Sequence, residues 1–187
     1  DMELVPGLAT DWEYVGDATW RLKLRAGVTF HDGSPMTAED VAFSALRQSS
    51  SKLYKSLFGG ITEVRVIDDL TVDIVTAAPD AILPVKLTRL FVMSKSWAEA
   101  NGILEVPQLG ADSTEAFSLR HANGTGPMKL LRYEPDVRTR LEAHAGYWGR
   151  ADRRHGNAAA VDFLTIKNDA TRLAALSSGE VDLVLDP

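Results

Sequence analysis

The run from Leu24 to Val41, LRAGVTFHDGSPMTAEDV, constrains the fold more than any other part of the chain, because it joins a strand end, a turn, a second short strand and a helix start with almost no slack. Leading into it, Trp20, Leu22 and Leu24 alternate with Arg21, Lys23 and Arg25, the two-residue period of a strand with one buried and one wet face. Gly27 and then Asp32-Gly33 break that period with residues that tolerate positive φ. Thr37-Ala38-Glu39-Asp40 follows with the spacing in which a hydroxyl caps an early backbone N–H and carboxylates face the positive end of a helix. Val41, Phe43, Ala45 and Leu46 give that helix an apolar stripe. Local chemistry alone predicts strand, turn, helix.

Similar patterning extends along the chain. Thr62 to Ile67 and Leu70 to Thr76 alternate on either side of Asp68-Asp69, a hairpin signal. Ala81 to Leu90 predicts a short helix with Pro79 at its entrance, disturbed by Pro84. Asn101 to Asn123 mixes Gly, Pro, Ser and charge without period and reads as an irregular connection and domain boundary. Beyond it, Met128 to Tyr133 and Val137 to Ala143 predict a hairpin turning at Pro135-Asp136. Val161 to Lys167, a helix capped by Asn168 and stopped at Gly179, and Val181 to Leu185 predict a βαβ unit with parallel strands.

With 45% hydrophobic residues in 187, the chain can bury a real core. A net charge of −6 and no Lys/Arg run longer than two leave no electrostatic footprint for nucleic acid or an anionic membrane. Cysteine is absent, which removes disulfides, thiolate metal sites and cysteine nucleophiles. No stretch of about 18 apolar residues offers a membrane span. Both ends, at Asp1 and at Asp186-Pro187, read as cut.

The Leu24–Val41 run resembles the signature of the extracellular solute-binding proteins of peptide and nickel ABC transporters, where an LRxGVxFHDGxPxTAEDV string recurs. Pro6-Gly7-Leu8-Ala9-Thr10-Asp11-Trp12 resembles that family's lead-in. Gly124-Thr125-Gly126-Pro127, Gly146-Tyr147-Trp148-Gly149 and Ala170 to Leu176 with Gly179-Glu180-Val181-Asp182 follow in the family's order. The resemblance implies an α/β fold: a periplasmic-binding-protein-like first lobe, with an antiparallel-rich subdomain over 1–120 and part of a mixed sheet with the βαβ unit over 121–187. Members have two lobes and are much longer, so the second lobe is expected to be absent here. It further implies the solute-binding component of an ABC importer, capturing peptides or a related small solute such as a nickel chelate. Such a protein catalyses nothing, needs no cofactor and works with permease subunits. It sits at the periplasmic or extracellular face, lipid-anchored in a Gram-positive host.

Three ligand contacts follow from the resemblance: Arg89, where nickel-binding relatives carry a cleft arginine; Tyr54, in the connection where peptide-binding relatives place a cleft tyrosine; and Asp186, at a strand end. A surface arginine and a plain strand-end aspartate are equally good accounts of the first and last. Met128 replaces the family's aromatic and Ala145 its asparagine.

Other chemistry is weaker. His31-Asp32 is the dyad of metal-dependent phosphohydrolases, and a small hydrolase using it is the alternative function, yet Gly33-Ser34-Pro35 follows at once and favours a turn. His121, His144 and His155 lack zinc-site spacing, and no metal site is expected. Gly124-x-Gly126 lacks the third glycine and the lysine of a phosphate loop, so it reads as a tight turn. Asn123-Gly124-Thr125 is formally a glycosylation sequon, read as chance. Arg150, Arg153, Arg154 and His155 form one basic cluster, read as a solvated loop. A stand-alone interaction module that kept one lobe is a third class.

Overall fold

A computed structural model describes residues 3–106, 117–151 and 156–185. Strands β1 (Ala9–Gly16), β2 (Thr19–Leu24), β3 (Ile61–Asp68) and β4 (Thr71–Thr76) form an antiparallel sheet in the order β1-β2-β4-β3. The alternation in β2 sends Leu22 and Leu24 into the core and leaves Lys23 exposed. β4 lies between two neighbours and is covered on both faces. Val72 and Ile74 enter the core, while Thr71 and Asp73 are buried on the opposite side. Burial of Asp73 is offset by Arg21 on β2, whose Nε and Nη2 donate to the two carboxylate oxygens at 2.7 and 2.9 Å. That bidentate bond holds the Asp73 carboxyl below its ordinary range.

From β2 the chain passes through Gly27 and Gly33, at φ 73° and 89°, with Thr29 bridged to Pro35, and enters α1 (Ala38–Ser49). A capping box closes between Thr37 and Asp40. Its firm half belongs to Asp40, which accepts the Thr37 backbone N–H at 2.8 Å and the Thr37 hydroxyl at 3.1 Å. The buried face differs from the expected stripe: Ala38, Val41, Ala42 and Ala45 are buried, Phe43 is half-buried and Leu46 is 43% exposed. The stripe is displaced because Asp40, Ser44 and Gln48 are buried on the same helix, residues that hydropathy assigns to water. The core joins Leu22, Leu24, Val72 and Ile74 of the sheet to Val28, Phe30, Met36 and Val41, closed by Phe58 and Leu83.

Short helices occupy connections that carry little sequence pattern, α2 (Lys55–Phe58) and α4 (Lys95–Ala100). The helix expected near Ala81 is α3 (Leu83–Leu87), and the proline in its first turn is Pro84 rather than Pro79. Proline is tolerated there because the first-turn N–H has no intrahelical acceptor. In the connection expected over 101–123, residues 101–106 are irregular and Phe117–Leu119 makes one 3-10 turn.

The second sheet is β5 (Met128–Glu134), β6 (Arg138–Ala143) and β7 (Ala160–Leu164), antiparallel in that order, with Asp136 at φ 58° in the predicted hairpin turn. Helix α5 (Asp169–Ser178) starts and stops as expected: the Asn168 side chain accepts the Thr171 N–H at 3.0 Å, and Gly179 ends the helix at φ 78°. The parallel return strand is not formed. Residues 181–185 lie outside any ladder, and β7 pairs antiparallel with β6, so the described part of this sheet is antiparallel and the βαβ unit stops at α5. A strand persists only when a neighbour takes its N–H and C=O groups; here the Val181 N–H turns back to the Ala175 carbonyl at 3.3 Å instead.

Candidate functional site

The His31-Asp32 turn fastens the first sheet's end of the molecule to the loop entering β5. The His31 N–H donates to the Gly124 carbonyl at 2.8 Å. Its ring accepts the Gly124 N–H at Nδ1 (3.3 Å) and donates from Nε2 to the Gly126 carbonyl at 3.0 Å, which fixes the neutral tautomer because a carbonyl can only accept. His144 shares that carbonyl through Nδ1 at 3.3 Å and meets the His31 ring edge-on at 5.0 Å. Burial pushes the His31 pKa down, with the charges of His144 and Lys129 adding to the shift. Asp32 accepts from the Asn123 amide at 2.7 Å and from the Ser34 hydroxyl at 2.6 Å. Both residues of the dyad are thus engaged in turn structure, and among the described residues no group of three His, Asp, Glu or Cys side chains could hold a metal. The hydrolase reading has no support in this geometry. Asn123, bonded to Asp32 and buried, is likewise no exposed sequon.

The tight turn expected at Gly124 and Gly126 is not formed: residues 125–127 make a bend into β5, with the Gly124 and Pro127 carbonyls bonded to the N–H groups of His31 and His144. Gly126 has no positive φ, and a Cβ built on it meets nothing within 4 Å, so its place does not demand glycine. Arg150 is exposed and donates to the Ala145 carbonyl at 3.2 Å, while Arg153, Arg154 and His155 lie outside the described residues.

Two of the three expected ligand residues fall on adjoining segments. Tyr54 caps α2, half-buried, its ring 6.1 Å from Phe58 and 6.4 Å from Phe91. Arg89 is exposed just beyond α3, with its backbone N–H on the Lys86 carbonyl at 3.0 Å. Among the described residues the Arg89 guanidinium makes no ion pair and the Tyr54 hydroxyl no hydrogen bond. Asp186 lies outside the described residues.

Sequence reasoning missed what holds this region. The Gln48 amide donates to the Phe91 carbonyl at 2.6 Å and accepts the Phe91 N–H at 3.5 Å. Ser44 Oγ accepts the Met93 N–H at 2.8 Å and donates to its carbonyl at 3.3 Å, and Asp40 accepts the Lys95 N–H at 2.8 Å. The available signal was a polar residue every fourth position within an otherwise apolar helix face. A groove on the outer side of α1, lined by Phe43, Leu46, Val64, Val66 and Leu104, contains neither Tyr54 nor Arg89. Three of its charges are already engaged: Lys95 pairs with Glu39 at 3.0 Å, and Arg47 binds the carbonyls of Leu104 and Glu105.

With this architecture in place, comparison with known proteins identifies the class. The chain belongs to the bacterial extracellular solute-binding proteins, family 5, whose model matches residues 3–187. It is 34% identical over 170 residues to the dipeptide-binding protein of Escherichia coli (strain K12), covering 79% of this chain and 30% of that protein. Its fold matches NikZ from Campylobacter jejuni, solved with Ni(L-His), at TM-score 0.77 and 22% identity over 97% of this chain and 34% of that one. It also matches the periplasmic binding protein DppA from Helicobacter pylori, solved with the peptide STSA, at TM-score 0.71 and 26% identity over 96% and 37%. The α/β binding-protein lobe expected from the sequence is therefore the fold observed, and the chain spans about a third of the length of these relatives. Among the described residues no helix is long and apolar enough to cross a membrane.

Proposed function

We propose that this chain is the first-lobe portion of the solute-binding component of an ABC importer, capturing a peptide or a related small solute such as a nickel chelate by closure of two lobes and handing it to permease subunits. The reading places the protein at the periplasmic or extracellular face, held by a lipid anchor in a Gram-positive host. It divides the lobe near residue 120 into an antiparallel subdomain and a second sheet, and it assigns no catalysis. The observation that carries it is the family match over residues 3–187 on this fold, joined by an exposed guanidinium, Arg89, and a phenol, Tyr54, that make no side-chain hydrogen bond among the described residues.

In this reading Arg89 receives an anionic group of the solute, such as a peptide carboxylate, in a bidentate bond that lysine cannot reproduce. Tyr54 offers its hydroxyl from the adjoining α2 segment, and Asp186 contributes from the far end of the chain. The test is calorimetry on the full-length protein with alanine peptides of two to five residues and with nickel–histidine. A charge-assisted bond of roughly 1.5 to 3 kcal/mol corresponds to at least about tenfold weaker binding for Arg89→Ala, with Arg89→Lys recovering part of the loss. Equal affinity for wild type and Arg89→Ala removes Arg89 from the site.

A further inference from the structure

Asp40, Ser44 and Gln48 lie four residues apart along α1, buried, and each takes the backbone of one alternate residue of the segment running past it in the opposite direction: Lys95, Met93 and Phe91. The match is geometric. Four helical residues rise about 6.0 Å, two extended residues rise about 6.6 Å, and so one helix ridge meets every second residue of an extended chain. Among the described residues no strand pairs with residues 91–94, and the helix side chains supply the hydrogen bonds that a neighbouring strand would give.

This ridge holds the backbone and leaves the side chain open. Phe91 is 66% exposed although both its N–H and its carbonyl are bonded to buried Gln48. Its ring stands 6.4 Å from that of Tyr54, and Arg89 lies two residues before it. A contact serving only the core would bury the phenylalanine; fixing the main chain while presenting the side chains is the arrangement of a preorganised binding edge. We propose that Ser44 and Gln48 are positioning residues of the solute site, setting the register of the Arg89–Phe91 stretch on α1 and so its placement against Tyr54. The proposal rests on the reading of Arg89 and Tyr54 as solute contacts.

The experiment uses the full-length protein carrying Gln48→Leu, Gln48→Glu or Ser44→Ala, with Val72→Ala in β4 as a core variant matched in loss of melting temperature. Backbone amide exchange is read at Phe91 and Met93, and affinity is read with the same alanine peptides and nickel–histidine. Losing a hydrogen bond of about 1 kcal/mol quickens exchange about fivefold, at Phe91 for Gln48→Leu and at Met93 for Ser44→Ala. Affinity for the bound probe falls by a similar factor in both, Gln48→Glu does not restore it because a carboxylate has no proton to donate to the Phe91 carbonyl, and Val72→Ala leaves affinity unchanged. Exchange no faster than in Val72→Ala overturns the clamp. Quickened exchange with unaltered affinity, in a protein where Arg89→Ala does weaken binding, overturns the positioning role while sparing the site. Should Arg89→Ala also bind normally, or the wild type bind none of the probes, the proposed function fails and takes this inference with it.

Discussion

The two sheets are both antiparallel and both two-faced, yet they differ in what lies on the apolar face. In the first, the core joins Leu22, Leu24, Val72 and Ile74 to Val28 and Phe30 of the turn and Val41 of α1. In the second, register puts Leu130, Leu141 and Val161 in one row and Tyr133, Thr139 and Phe163 in the next, while Arg132, Arg140 and Asp162 share the other face. That apolar side stays partly open: Phe163 is 48% exposed, and Leu173 on α5 is 64% exposed. Alternation in sequence therefore makes a strand in either region, but it becomes a core only where another element covers it.

The largest expected effect separates the sheets directly. Ile74→Ala should cost about 2–5 kcal/mol as a buried cavity, whereas Leu173→Ala should fall within about 0.5 kcal/mol as a surface change. Comparable shifts in urea midpoint would mean that α5 is as well covered as β4.

The helix caps sharpen the same contrast. Asp40→Ala removes the acceptor for the N–H groups of Thr37 and Lys95 and should cost about 1–3 kcal/mol. Thr37→Ala should cost about 1 kcal/mol, and Asn168→Ala on the exposed α5 about 0.5 kcal/mol. Thermal melts giving the reverse order would break the distinction between a covered and an uncovered helix.

The joint between the regions should be sensitive to acid. His31 has a folded pKa below its ordinary 6.5, so between the two values the unfolded chain binds the proton that the folded one excludes. Its contribution is complete above pH 6.5 and is lost as pH falls through that value toward the folded one. Protonation at Nδ1 also abolishes the bond from the Gly124 N–H. His31→Gln should flatten the decline in urea midpoint between neutral and mildly acid pH; an equally steep decline would place the acid sensitivity elsewhere.

Glycines give the smallest test. Gly33→Ala, at φ 89°, should cost about 1 kcal/mol because a Cβ is strained there, while Gly126→Ala, in ordinary backbone space with nothing nearby, should be close to neutral. Equal costs in chemical denaturation would show that the loop into β5 is tighter than its geometry indicates.

What the sequence by itself determined were the features whose cause is local. Alternation set β2 and both hairpins, Thr37 through Asp40 started α1, Asn168 and Gly179 bounded α5, and the long Leu24–Val41 resemblance named the family that the comparisons establish. Each rests on a few neighbouring residues and survives in any context that keeps them together. Tertiary structure decided the rest. Residues 181–185 carry a strand's composition, but a strand needs a neighbour, and none lies beside them among the described residues. Leu46, part of the apolar stripe read from the sequence, is 43% exposed, while Gln48 on the same helix is buried because it meets the backbone of Phe91, a residue 43 positions away. The same distance hides the region around Tyr54 and Arg89 from sequence reading, since a hydrogen bond between remote segments leaves only a polar residue at an inward position. That residue's partner is defined only when the chain has folded.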